Sequence, residues 1–404
     1  MHKDILKTIR EKSKYKGLIT PCYDGLSLAN IPNTILEHFK AKAPNSVLDR
    51  NAFDYSLLKN VKHVVVLVID GLGYHQLLES SRRNQNLTLK NNFVMPLTSV
   101  CPSSTASALT TLNTALTPSQ HGLVGYRLFL KEFTALTSIL KFKAAHAQYD
   151  FTQLGINPRE FFSFPTIYQR LKKVGVHGTT VFPGDIADSG LSAMTHEGAE
   201  CIPYITTADM CTQLRIHLQK QKKKSFTYVY HPHIDTISHS YGKHTQSHEA
   251  ELANLNFSLT NEILENHFKD TLLLITADHG HINGSKNKSI DLYNHEKLLQ
   301  NLVFPPTGEL RWGYLHCKNG KLNEVKRYCE SNFGNKVMIL ESQKMLSLLG
   351  NAPVARATLD RIGDLLLIPK ENYSIQLGEN DLIGLHGGLS EEEMLIPLIA
   401  KRLG

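Results

Sequence analysis

Four short apolar runs constrain this chain more than any other feature: VVVLVI (64–69), TTVF (179–182), FTYVY (226–230) and TLLLIT (271–276). Each is continuous and rich in β-branched side chains. A strand with one wet face alternates polar and apolar residues. A run without polar interruption is instead buried on both faces, as in a parallel sheet covered by helices. Helical patterns lie between the runs. PTIYQRLKKVG (165–175) opens on Pro and closes on Gly, the usual start and stop. From about Thr245 to Phe268, Leu252, Leu255, Leu259 and Ile263 fall on one face. This alternation predicts an α/β fold, a doubly wound and mostly parallel sheet flanked by helices.

After about residue 290 the texture changes. GELRWGYLHCKNG (308–320) reads as a strand with a turn, and KLNEVKRYCESNFG (321–334) as a helix closed by Gly334. KVMILES and DLLLIPKENYSI add two strands, and the flanks FPPTG (304–308) and LGEN (377–380) are rich in turn residues. The expected organisation is a catalytic core of residues 1–304 and 377–404, interrupted by a small α+β cap subdomain at 305–376.

Composition narrows the class. With 404 residues, 41% hydrophobic and 20% charged, the chain can bury a sizeable core, which excludes wholesale disorder. A formal charge of +7 suits an anionic substrate without identifying one. The basic run QKQKKK (219–224) reads as a solvated helix end. The cations form no stripe with aromatics, so no stable nucleic-acid complex is expected. Six cysteines (22, 101, 201, 211, 317, 329) contain no CxxC pair, which argues against a disulfide framework and a zinc finger. The opening MHKDILKTIREKSKYKG has no apolar core of a leader, and no run nears the ~20 residues of a membrane span. A cytoplasmic protein without a membrane span is the expectation, and sequons such as Asn86-Leu-Thr then carry no meaning.

In open parallel sheets, ligands bind outside the carboxyl ends of the strands. VVVLVI ends in Asp70-Gly71. FTYVY leads into HPHIDTISH, with Asp235 and His239 four apart and so on one side of a helical turn. TLLLIT ends in Ala277-Asp278-His279-Gly280, and the late GLHGG places His386 beside glycines. One Asp-Gly is ordinarily a turn, and one Asp-x-x-x-His is ordinarily surface decoration. Three such features at three strand ends point to a divalent metal site, and with imidazoles among the donors zinc is the first choice. His231, His233, His244 and His281 are read as neighbours of that site or as surface residues, not as ligands.

SVCPSSTASALTTL (99–112) holds seven hydroxyls and one thiol. LTSV (97–100) reads as a short strand and the following residues as a helix, with Ser103 or Ser104 as N-cap. A hydroxyl on that first turn would sit where backbone N–H groups favour anions, and beside a metal it could attack phosphorus. The residues themselves leave open which hydroxyl this is, or whether all of them merely cap the helix.

The order of these motifs resembles the alkaline phosphatase superfamily. It comprises Asp70-Gly71, Cys101-Pro102-Ser103-Ser104-Thr105, PSQHG (118–122), Asp235-x-x-x-His239, TADHG (276–280) and His386-Gly-Gly. The branch it looks most like is the type I phosphodiesterases and nucleotide pyrophosphatases, from about Tyr23 to the C-terminus. The closing HGGLSEEEMLIPLI and the RIGDLLLIP before it (361–369) are also similar to family segments. The resemblance implies two zinc ions, one held by Asp235, His239 and His386, the other by Asp70, Asp278, His279 and the nucleophile. It places that nucleophile three residues after Pro102, at Thr105. Sulfatases of the superfamily carry Cys-x-Pro-x-Arg; here Cys101 directly precedes Pro102 and no Arg follows, so that reading fails.

Two departures stand out. Where eukaryotic members use an Asn to hold a phosphate oxygen, this chain has Tyr126, a candidate substrate contact. The family's Thr-Gly before the His-Gly reads Thr114-Ala115. The expected activity is hydrolysis of a small phosphodiester or nucleotide pyrophosphate through a phosphothreonine on two zinc ions. The alternatives are a phosphomonoesterase or phosphonate hydrolase on the same metals, with Arg127 reaching in from a loop, and a non-catalytic metal- or nucleotide-binding protein. The complete ligand set argues against the last.

Overall fold

A computed structural model of the chain describes residues 2–404. Its centre is a seven-stranded sheet, whose strands run, from edge to edge, Phe93–Thr98, Leu395–Arg402, Thr271–Thr276, His63–Ile69, Ser225–His231, His177–Pro183 and Glu200–Tyr204. All four apolar runs lie in it. The pairings among the last five strands are parallel, while Leu395–Arg402 runs antiparallel to both its neighbours. Every residue of His63–Ile69, Ser225–His231 and Thr271–Thr276 is buried, as the absence of polar interruption requires.

The helices between the strands form for the reasons legible in their ends. Ile167–Lys172 is opened by Thr166, whose side chain accepts the Gln169 N–H while Gln169 returns the bond. Gln246–Leu259 buries Leu252, Leu255 and Leu259, and the π turn that follows buries Ile263. The basic run lies at the end of the helix Thr207–Lys220 and beyond it.

A second seven-stranded sheet is antiparallel throughout: Val337–Glu341, Leu365–Pro369, Trp312–Leu315, Thr307–Glu309, Arg127–Leu130, Ala135–Ser138 and Lys143–Ala144. Strands of the 305–376 segment therefore share one sheet with the 127–144 meander. Beneath it lies a separate apolar cluster that includes Leu315, Val325, Phe333, Leu365 and Leu367. Among the described residues, no helix is long and apolar enough to cross a membrane.

Candidate active site

Register builds the site. His63 pairs with both Ser225 and Thr271, so three central strands run level and end together. Asp70 and Asp278, each just past its strand, are therefore neighbours, and the Gly71 N–H donates to Asp278 Oδ1 at 3.0 Å. Ser225–His231 feeds directly into the helix His233–Tyr241, whose pitch carries Asp235 and His239 on one side, with Nε2 3.3 Å from Oδ1. His386 arrives from the far end of the chain. Gly384–Leu385 pairs antiparallel with Ile282–Asn283, and Ser103 bridges to Gly387. Gly387 adopts φ +112°, and a Cβ there would meet Glu309 Cβ at 2.8 Å, so the chain can pass only as glycine.

The hydroxyl run resolves into separate tasks. Ser104 occupies the N-cap of the helix Thr105–Thr114, but its side chain caps nothing and donates instead to Glu309 Oε1. Ser103 Oγ donates to Gly388 O at 2.8 Å, and Ser99 Oγ to Asp278 O. Thr105, the first helical residue, faces the cluster, with Oγ1 3.2 Å from His279 Nε2. The helix ends at Ala115, whose φ is +62°. His121 of the PSQHG motif lies behind the helix. It accepts the Leu123 N–H on Nδ1 and presents Nε2 to Thr111 Oγ1, each at 3.1 Å.

Two groups of ligand atoms converge at the strand ends, sharing His279. In one, His279 Nε2 lies 3.3 Å from Asp278 Oδ2 and 3.5 Å from Asp70 Oδ1. In the other, Asp235, His279, His281 and His386 converge, with Asp235 Oδ1 3.0 and 3.9 Å from Nε2 of His281 and His386. His239 Nε2 lies 3.3 Å from the same oxygen. The structure thus brings together Asp70, Thr105, Asp235, His239, Asp278, His279 and His386, and adds His281. The other three histidines lie apart. His231 is buried against Thr207 and Glu251, His233 packs edge-on against it, and His244 joins His248 and Glu249.

Electrostatics shows what the cluster lacks. Asp70 Oδ1, Asp235 Oδ1 and Asp278 Oδ2 are buried without a hydrogen-bond partner. Burial, then the charges of Asp278 and Asp235, holds Asp70 well above the usual carboxylate range, although Tyr230 donates to it. Burial pushes Asp278 up to about 6. At Asp235 burial acts in the same direction, but His239, His281 and His386, where protonated, outweigh it and hold the carboxyl below its usual range. Burial drives His279 down to about 3 and His386 well below its ordinary value, so both rings present a neutral nitrogen. Three crowded carboxylates and neutral imidazoles fit divalent cations.

Over this floor opens a cleft of about 500 Å³. Thr105, Asp235, His239 and His386 line its base, and Tyr126, Arg127 and Glu309 its wall. Glu309 Oε1 accepts the Tyr126 N–H at 2.6 Å as well as the Ser104 hydroxyl, and burial raises its pKa to about 7. Nothing in the sequence ranks Glu309 above other carboxylates, because its partners lie 183 and 205 residues away. His281 was legible in principle: it stands two residues after His279, and side chains two apart on extended backbone share a side.

This sheet brings acids and imidazoles at its strand ends beside a hydroxyl that heads a helix. Residues 64–389 match the type I phosphodiesterase / nucleotide pyrophosphatase family. The chain belongs to that family. Its fold is similar to that of murine ectonucleotide pyrophosphatase / phosphodiesterase 5, at 19% identity and TM-score 0.61, over 83% of this chain and 87% of that one. The human counterpart gives 16% and 0.62 over 83% and 87%. Phosphonoacetate hydrolase from Sinorhizobium meliloti 1021, in complex with phosphonoformate, gives 15% and 0.62 over 84% and 90%. A search of curated proteins finds no match. The chain is therefore a phosphohydrolase of the phosphodiesterase/pyrophosphatase type.

Proposed function

We propose that this enzyme cleaves a phosphodiester or pyrophosphate bond of a small nucleotide-type substrate through a covalent phosphothreonine on Thr105. One observation carries the reading: Thr105 Oγ1 meets His279 Nε2 at 3.2 Å on the floor of the cleft, beside carboxylate oxygens that lack partners. Asp70, Asp278, His279 and Thr105 would hold one divalent ion, and Asp235, His239 and His386 a second, with zinc the choice that suits mixed imidazole and carboxylate donors. Bound there, two such ions supply a lowered pKa for a coordinated hydroxyl and neutralise charge on phosphate oxygens.

Thr105 Oγ1 forms a bond to phosphorus as the bond to the leaving oxygen breaks, and the hydroxyl proton ends on the departing group. Water then bonds to phosphorus as the P–Oγ1 bond breaks, returning a proton to Thr105 and releasing a phosphate monoester. The positive end of the helix Thr105–Thr114 favours the anionic group throughout. Tyr126, which lines the cleft, is the proposed substrate contact, and the 305–376 segment, proposed as a cap over the core, contributes to the same wall. The murine neighbour is also known as an inactive threonine-to-alanine variant in complex with AMP, which supports both a threonine at the chemistry and a nucleotide-type substrate here.

The test compares bis-p-nitrophenyl phosphate, p-nitrophenyl phosphate and a nucleoside-monophosphate nitrophenyl ester, with and without chelator. The diesters are expected to turn over faster, and only with metal. Arg127 on the cleft wall favours one second reading, because a guanidinium there suits the dianion of a phosphomonoester or phosphonate. Faster monoester hydrolysis would select it, and turnover in chelator would remove both readings.

A further inference from the structure

We propose that His281 is a fourth protein ligand to the ion held by Asp235, His239 and His386. The inference rests on the two-ion reading and adds a residue to it.

Tautomers carry the argument. His281 Nδ1 lies 3.1 Å from Gly71 O, an acceptor, so Nδ1 carries the proton and Nε2 a lone pair. That Nε2 is 3.0 Å from Asp235 Oδ1, yet neither atom has a hydrogen-bond partner. They are close, but not along a hydrogen-bond line. A cation that both can reach satisfies this pair, as a second proton on the ring would.

The same device recurs around the cluster. His239 Nδ1 is tied to Gly384 O at 2.7 Å and His386 Nδ1 to Ser103 O at 3.0 Å, and in each ring Nε2 turns inward. A carbonyl on the far nitrogen is how proteins orient metal-binding imidazoles. Tetrahedral zinc with bonds near 2.0–2.1 Å separates its ligand atoms by roughly 3.3 Å. The separations here are 3.3 Å for Asp235–His239, 3.0 Å for Asp235–His281, 3.2 Å for His239–His386 and 3.9 Å for Asp235–His386. The ring of His281 also has a place made for it. Gly71 has φ +72°, and a Cβ there would lie 2.3 Å from His281 Cε1.

Four protein donors would complete the closed tetrahedral set that structural zinc takes. The test reads metal binding, not turnover. Apoprotein is titrated with buffered Zn²⁺ and Co²⁺ in a D70N background, where only the Asp235 set is intact. His281→Ala and His281→Gln are each expected to weaken that ion at least about tenfold and to alter the Co²⁺ absorption spectrum. X-ray absorption on the wild-type zinc protein should count four imidazoles over two ions (His239, His279, His281 and His386), and this holds the test open if a variant does not fold. Two bound ions with three imidazoles, or variants that bind as tightly as the parent, would overturn the role of His281 alone. A wild-type chain that takes up no ion would remove the two-ion reading and this inference with it.

Discussion

Arg311 and Glu393 form an ion pair with side chains 1% and 0% exposed. Arg311 follows the strand Thr307–Glu309 of the antiparallel sheet, and Glu393 follows the loop that carries His386. The pair is bidentate, Nε to Oε1 at 3.0 Å and Nη2 to Oε2 at 2.7 Å. The same carboxylate accepts the Gly388 N–H at 2.8 Å and the Ser390 N–H at 3.3 Å, and Arg311 Nη1 donates to Tyr373 O. Glu393→Gln keeps one oxygen for Gly388 but turns an amide toward donors and leaves a buried guanidinium without a counter-charge. That costs about 3–5 kcal/mol. Arg311→Met leaves a carboxylate still held by two N–H groups, a smaller loss of about 2–3 kcal/mol. The double variant removes both charges and keeps the Gly388 bond, so its loss falls well below the sum, with a coupling of about 2 kcal/mol or more. Urea unfolding of all four proteins at pH 7 in chelator measures the cycle. Additive losses, with coupling under about 0.5 kcal/mol, would refute the claim that this pair joins the second sheet to the His386 loop.

Thr105→Ala should lower turnover at least about 10³-fold while leaving both proteins equally folded, and acid quench of the wild type should trap the substrate's phosphoryl group, still carrying its retained ester, on Thr105 alone. Ala115 stands in the left-handed region at a helix end, so Ala115→Gly should stabilise the protein by about 1 kcal/mol, read as a higher urea midpoint with unchanged slope. Burial holds His121 down at about 3, below its unfolded value of about 6.5. Between these values the unfolded chain binds the proton and the native one does not, so the stability this neutral ring supports is present above pH 6.5 and is lost as pH falls toward 3. His121→Gln removes one such proton and should flatten the acid limb of stability by about 1.4 kcal/mol per pH unit; an unchanged slope would show that His121 is not the group.

The central sheet was readable because its strands are buried on both faces and so carry no polar residue to blur the pattern. Its closing strand was harder. Leu395–Arg402 contains Pro397, which ordinarily argues against a central strand. In the sheet Pro397 lies opposite Pro96, so both missing donors fall on one rung, and pairing with Thr271–Thr276 begins only at Leu398. The strands at 127–144 were not legible at all: Arg127–Leu130 is half-exposed, and its partner Thr307–Glu309 follows some 180 residues later. At the site, Asp70, Asp235, His239, Asp278 and His279 are visible from the rule that strands deliver function at their carboxyl ends, while His386 stood out only as an imidazole beside glycines. Thr105 was singled out only by resemblance, since the physics of an N-cap leaves Ser103 and Ser104 both open. Ser104 does occupy the cap, yet its hydroxyl is drawn away by Glu309, a partner that no local pattern reveals.

That contact bears on how the cleft works. Glu309 lies on the wall contributed by the second sheet, while Ser104 immediately precedes Thr105 on the floor. One carboxyl oxygen holds the Ser104 hydroxyl and the Tyr126 N–H together, and Glu309 Cβ packs where Gly387 leaves no side chain of its own. Two residues further along the chain, Arg311 grips Glu393 and through it the Gly388 N–H. The wall is thus fastened on one side to the residue before Thr105 and on the other to the loop that carries His386. A wall so fastened cannot swing as an independent lid without displacing Thr105 or His386. On the proposed reaction, discrimination between leaving groups falls to the residues that line this cleft, Tyr126 and Arg127 among them.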